Sequence, residues 1–186
     1  GFRVRFAGEK FIGEAQDSFR VFLVDDKKDF DGQGGDIYSI KVRNAQVFVF
    51  QNKIVSTTPI LERQLLSGLS GAATTLGTGG VIDRYDTVNV YFGTQHQWSV
   101  TETEYGFMWF DMRRKALVVI DTGVNEVSQI LGMKGFFDEI FNEVDGANLV
   151  DEDIILNSPT FSELSDRPLM GVGITGVYDP KFKMSY

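Results

Sequence analysis

The chain has 186 residues, 42% hydrophobic and 24% charged, with 16 Phe and 20 Gly but only 4 Pro, which suits one globular domain or a large piece of a bigger protein and excludes a disordered tail. A net charge of −8 and a pI near 4.7 argue against a groove that grips phosphate backbones, although an acidic wall lets a DNA polymer slide past. The absence of cysteine removes disulfides, thiolate nucleophiles and Cys-based zinc sites, and no apolar run approaches the ~20 residues that span a bilayer.

The opening GFRVRFAGEKFIGEAQ reads as neither a signal peptide nor an amphipathic anchor. It begins with Gly, and the closing KFKMSY stops inside a strand-like run, so a fragment or processed piece of a longer protein is expected. Residues 17–24, DSFRVFLV, alternate as a strand does, and DDKKDFDGQGGD follows as a polar, Gly-rich loop. Its five carboxylates, Asp25, Asp26, Asp29, Asp31 and Asp36, are the natural place to look for a hard cation. The spacing does not match a calcium-binding helix–loop–helix, so Asp25, Asp29 and Asp31 stand only as calcium candidates, and no metal or cofactor is expected.

Three short runs come next, 37–42, 46–51 and 54–58, separated by RNA and NK, and Asn44 and Asn52 tolerate the left-handed turn conformations that make this a three-strand meander. A helical turn is predicted over 61–66, followed by a flexible Gly/Ser/Thr stretch. There LGTGG, residues 76–80, lacks the Lys-Ser/Thr pair and the helix start that a phosphate cradle needs. Ser67 and Ser70 sit on no sharp nucleophile turn.

From Thr87 the β pattern returns as TVNVYF, WSVTET, GFMWFD, ALVVID and NEVSQI, five strands joined by hairpin-length turns into an antiparallel module. His96, the single histidine, lies between Gln95 and Gln97 with no serine elbow in the chain, so it is expected to lock a sheet corner by hydrogen bonds. Glu102 and Glu104 share one strand face by the period of two and do not oppose each other across a cleft, as a glycosidase pair must. Tyr91, Trp98, Tyr105 and Trp109 could stack on sugar rings, yet aromatics at strand spacing more often pack sheets together. In WFDMRRKALVVID, Asp111 is expected to accept from turn amides while Arg113 and Arg114 project outwards, toward acids of a neighbouring unit.

Beyond this module, Phe136, Phe137, Ile140 and Phe141 mark one apolar face of a helix over about 132–143. The connector with Asp145, Asp151, Glu152 and Asp153 reads as solvated, and LMGVGITGVYDPKFKMSY as a hairpin turned at Asp179-Pro180. GVGITG lies within strands and so fails as a dinucleotide loop. The fold class is mainly β, antiparallel meanders of short strands with one or two short helices. Blade-like units over about 17–60, 87–130 and 165–186 suggest a partial or irregular propeller-like arrangement.

Five stretches, VFVFQNKIVSTTPILERQLL, LGTGGVIDRYDTVNVYFGTQHQWSV, TEYGFMWFDMRRKALVVIDTGVNEVS, GMKGFFDEIF and DRPLMGVGITGVYDPKFK, together resemble the propeller-like region of the tail muzzle proteins of crAss-like bacteriophages, over roughly residues 37–183. The resemblance implies a β-rich, noncatalytic structural component of the virion tail, made in the host cytoplasm. It would assemble with copies of itself and other tail proteins around the DNA exit path, with DNA passing nearby unbound. Recurrent positions of that family correspond to Gly77, Gly79, Gly80, Gly93, Gln95, His96, Gly106, Asp111, Arg113 and Arg114, as residues that set the fold or an interface. Size is a departure, because such proteins are far longer and this chain lacks the strands to close a propeller. A carbohydrate- or receptor-binding tail module, possibly glycan-hydrolysing, is the alternative expectation.

Overall fold

The computed structural model describes residues 1–8, 13, 18–60, 64–67, 73–76, 81–82, 84–143 and 173–185. In chain order, β1 (Arg3–Arg5) pairs antiparallel with β2 (Lys27–Asp29). The three strands β3 (Ile37–Arg43), β4 (Gln46–Gln51) and β5 (Val55–Pro59) form the expected meander, and β6 (Gln64–Ser67) pairs with β7 (Ala73–Leu76) as a separate hairpin. Strand β8 (Asp86–Asn89) adds to β5, giving a four-stranded sheet ordered β3-β4-β5-β8. A second four-stranded sheet, ordered β12-β11-β10-β9, is built from β9 (Thr101–Glu102), β10 (Phe107–Asp111), β11 (Ala116–Ile120) and β12 (Val124–Glu126). Helices α1 (Val127–Ile130) and α2 (Lys134–Glu143) follow, and the chain closes with the short hairpin of β13 (Tyr178–Asp179) and β14 (Met184–Ser185).

Local sequence explains the hairpins. Asn44 and Ala45 adopt φ of 51° and 59°, the left-handed pair that turns β3 into β4 with Arg43 opposite Gln46. Strand β4 is buried on both faces, which its reading as Val-Phe-Val-Phe allows. Phe48 and Phe50 turn towards the second sheet, where Phe50 meets Trp109 at 5.2 Å and Phe48 meets Phe107 at 5.0 Å, both edge to face. Val55, Val100, Ala116, Val118 and Ile120 complete this shared core. On the other face Val47 and Val49 pack with Phe30, under Val4, Ile37, Ile60 and Tyr85. Full burial of a large apolar side chain is worth about 1.5–3 kcal/mol, so this aromatic seam is what joins the two sheets.

Several expectations are corrected. Within the strand expected at 17–24, the described residues 18–24 form none: Ser18–Arg20 make a 3₁₀ turn, and Phe22, Leu23 and Val24 are exposed, so among the described residues the alternation has no face to bury. The strand lies instead at Lys27–Asp29, inside the expected loop, because β1 arrives to pair with it and Arg3 forks onto Asp29 with both nitrogens. Gln64–Ser67 is a strand where a helical turn is predicted, and the flexible stretch after it contains β7. Asp86–Asn89 joins the first sheet, not the second, and 127–130 is helical, which shortens NEVSQI to a three-residue strand that begins at Val124. Gln97–Ser99 is a 3₁₀ turn, leaving only Thr101–Glu102 of WSVTET paired. Among the described residues no sheet closes on itself, and the two larger sheets share one core, so the propeller-like arrangement is not seen.

Candidate functional site

Of the side chains singled out in the sequence, those of His96, Asp111, Arg113 and Arg114 meet at a corner where the segment 91–96 crosses two turns. Gly93 makes the crossing possible. A Cβ there would collide with the carbonyl oxygens of both Gln51 and Asn52, and the close approach lets the Thr94 N–H donate to the Gln51 carbonyl at 2.9 Å. Gln95, fully buried, ties the turn after β4 to the turn after β10. Its Nε2 donates to the Asn52 carbonyl at 2.6 Å, while its Oε1 accepts from the amides of Met112 at 2.9 Å and Arg113 at 3.3 Å.

Asp111 supports the same corner from the end of β10. One carboxylate oxygen accepts from the Gly93 amide at 3.0 Å and the other from the Arg114 amide at 3.2 Å. Burial pushes its carboxyl above the ordinary value, and those amides, with the nearby Arg113 charge, work against the shift. The two arginines reach back along 91–92: Arg113 Nη2 donates to the Tyr91 carbonyl at 3.2 Å, and the Arg114 guanidinium lies 5.4 Å from the centre of the Phe92 ring. The Trp109 indole N–H donates to the Gly93 carbonyl at 3.0 Å.

His96 sits on this corner, 2% exposed, with Nδ1 accepting from the Ile174 amide at 3.0 Å. The neighbouring hydroxyls serve the main chain. Ser99 Oγ donates to the His96 carbonyl at 2.8 Å and accepts from the Phe110 amide, while Thr94 Oγ1 accepts from the His96 amide at 3.2 Å. A nucleophile–base relay needs a hydroxyl donating to an imidazole nitrogen and an acid orienting that ring. Here Ser99 and Asp111 are both turned to backbone groups, so the arrangement fixes loop geometry.

The other candidates are dispersed. Asp29 is held by Arg3, which keeps its carboxyl below the usual range, Asp31 caps the Gly32–Gly34 turn by accepting from the Gln33 amide, and Asp36 lies 2.6 Å from the Gly1 nitrogen. Asp25 lies exposed, and no group of three metal-ligating side chains forms among the described residues. Glu102 and Glu104 diverge, Glu102 to Arg43 and Glu104 to Lys183 at 3.0 Å. Trp109 is core, not a sugar platform; Trp98, Tyr91 and Tyr105 are exposed. A cleft of about 330 Å³ between the sheets is lined by Arg43, Phe48, Tyr105, Phe107 and Asp121, and that carboxylate is taken up by the amides of Thr122 and Gly123. Gly77, Gly79, Gly80, Ser70 and the acidic connector of Asp145, Asp151, Glu152 and Asp153 lie outside the described residues.

Sequence reasoning missed Arg43, which donates to the carbonyls of Thr103 at 2.6 Å and Glu104 at 2.7 Å and so straps the first sheet to the second. It also missed Gln51, whose Nε2 donates to the carbonyls of Asp31 and Gly35. The available signal was position: a cation beside a hairpin asparagine, and an amide ending a strand that is otherwise apolar.

Comparison with known proteins converges on one family. The model described as Crassvirus muzzle protein matches residues 1–156, which contain both four-stranded sheets and all of the corner except the Ile174 amide. The muzzle protein of Bacteroides phage crAss001 is 23% identical over 126 residues, 68% of this chain but only 9% of that protein, so the chain spans a small part of its relative's length. With the match extending over most of its sequence, the chain belongs to the Crassvirus muzzle protein family.

Proposed function

We propose that this chain is a noncatalytic structural part of a bacteriophage tail, resident in the virion after synthesis in the host cytoplasm. It assembles with other copies of itself and with other tail proteins around the DNA exit path. The family match over residues 1–156 carries this reading. Two physical features support it. At the 91–96 corner Asp111 and Gln95 hold backbone amides and a carbonyl in place, which is what a rigid building unit needs. The net charge of −8 suits a surface that repels passing DNA instead of gripping it. His96, Asp111, Arg113 and Arg114 act in this reading as corner and interface residues.

Electron microscopy of virions carrying a tag on this chain tests the proposal. Label at the tail, repeated around its axis, is the expected result. A chain absent from purified virions, or present only at the head, would overturn it. Host adsorption abolished by Trp98→Ala in otherwise intact particles would favour the carbohydrate-binding alternative instead.

A further inference from the structure

Residues 173–185 lie along the β9 side of the second sheet and, among the described residues, are held at three points. The Ile174 amide donates to His96 Nδ1 at 3.0 Å, the Gly176 amide donates to the Trp98 carbonyl at 2.9 Å, and Lys183 pairs with Glu104 at 3.0 Å. Gly176 is in close contact, since a Cβ there would fall 2.9 Å from the Ser99 carbonyl and nearer still to Thr101 Oγ1. Ile174 and Tyr178 are half-buried. Val177, Phe182 and Met184 are all exposed, and a cleft of about 640 Å³ bordered by Val42, Glu102, Tyr178 and Pro180 separates this hairpin from the β3–β4 turn.

The first of these contacts depends on the protonation state of the ring. To accept from the Ile174 amide, Nδ1 must carry a lone pair, so the docked imidazole is neutral with its proton on Nε2. Protonation places an N–H on Nδ1, donor against donor, inside a corner from which water is excluded. We propose that residues 173–185 form a strap released by protonation of His96, uncovering the β9 edge of the second sheet.

The sign follows from linkage. Docking accepts only the neutral ring, so the undocked state binds the proton more tightly, and docking is strongest above the ordinary imidazole range near 6.5 and weakens as pH falls through it. The limit is about tenfold in the docking equilibrium per pH unit. Among the described residues, the charged groups on the elements packed at this corner are Asp111, Arg113 and Arg114 on the turn after β10 and Lys53 on the turn after β4; strap residues 173–177 and the 97–99 turn carry none. Glu104 is held below the usual carboxylate range by the Tyr105 hydroxyl and then by Lys183, so the Lys183 contact does not titrate where His96 does.

The single histidine makes the test direct. In the 186-residue chain, imidazole nitrogen shifts and amide exchange are followed by NMR from pH 7.5 to 5.0. The expected result is an Nε2–H tautomer at pH 7.5, with protection at Ile174 and Gly176, corrected for intrinsic exchange, falling by up to tenfold per pH unit below about 6.5 while Val49 and Val118 hold theirs. His96→Asn keeps an acceptor that does not titrate, and its Ile174 protection should be flat with pH. An imidazole that protonates while Ile174 stays protected, or parallel losses in wild type and His96→Asn, would overturn the proposal. The wild-type titration alone decides it should the variant fail to fold.

Discussion

Replacing Gln95 with alanine removes one side chain that serves two separate turns. The Met112 amide, buried and bonded to Gln95 Oε1 at 2.9 Å, loses its acceptor, and the Asn52 carbonyl, partly reached by solvent, loses its 2.6 Å donor. A stranded buried donor costs about 1–3 kcal/mol, and the half-buried carbonyl adds about 1 kcal/mol. One lost methylene and the space left by the carboxamide contribute roughly another 1 kcal/mol. The expected loss is therefore about 3–5 kcal/mol, in the upper range for any single substitution. With a urea m-value of about 2 kcal/mol/M, the midpoint should fall by about 1.5–2.5 M at unchanged slope. A loss under about 1 kcal/mol would refute the reasoning, because it would mean that water enters the corner and the turns do not depend on Gln95.

Trp109→Phe keeps an aromatic ring against Phe50 but strips the indole donor from the Gly93 carbonyl; a loss of about 1–3 kcal/mol in chemical denaturation is expected, against about 3–5 kcal/mol for Trp109→Ala. For Asp111 the folded carboxyl binds its proton more tightly than the unfolded chain does, so its contribution to stability is complete below about pH 3.8 and declines as pH rises through the raised folded value. Wild-type urea midpoints should accordingly lose ground to those of Asp111→Asn between pH 4 and 7, and the opposite slope would contradict the burial argument. Arg43→Ala removes the donor to the Thr103 and Glu104 carbonyls; a loss of about 1–2 kcal/mol is expected, with Arg43→Lys restoring less than half because an ammonium cannot fork to two acceptors. Amide exchange at residues 103–106 would report the same loosening.

Legibility followed the range of the interaction. The β3-β4-β5 meander could be read because each turn lies within two or three residues of the strands it joins, and Asn44 states the left-handed geometry outright. The β10–β11 hairpin is equally local, with Asp111 opposite Ala116 and Lys115 at φ 52° closing its turn. Strand β8 was assigned to the wrong sheet since its partner β5 lies some thirty residues earlier, and no period in Thr87–Asn89 names that partner. Residues 18–24 failed for the opposite reason: the alternation is real, but among the described residues no surface covers Phe22 and Val24, whereas the charged Lys27–Asp29 finds β1. At the corner, only His96 and Asp111 were legible as hydrogen-bonding residues, and Asp111 accepts from the Gly93 and Arg114 amides.

By itself the sequence determined the β class, the two hairpins, a helix within about 132–143 and the family, because turn chemistry and side-chain periodicity act over a few residues and need no partner. Only the tertiary structure decided which strand edges meet, that Trp109 lies in the core while Trp98 faces solvent, and that Gln95 bridges two turns. Those outcomes depend on the burial of surfaces contributed by distant segments. A strand of given pattern can bury its face against any complementary one, and the aromatic seam of Phe48, Phe50, Phe107 and Trp109 selects the arrangement that excludes the most water.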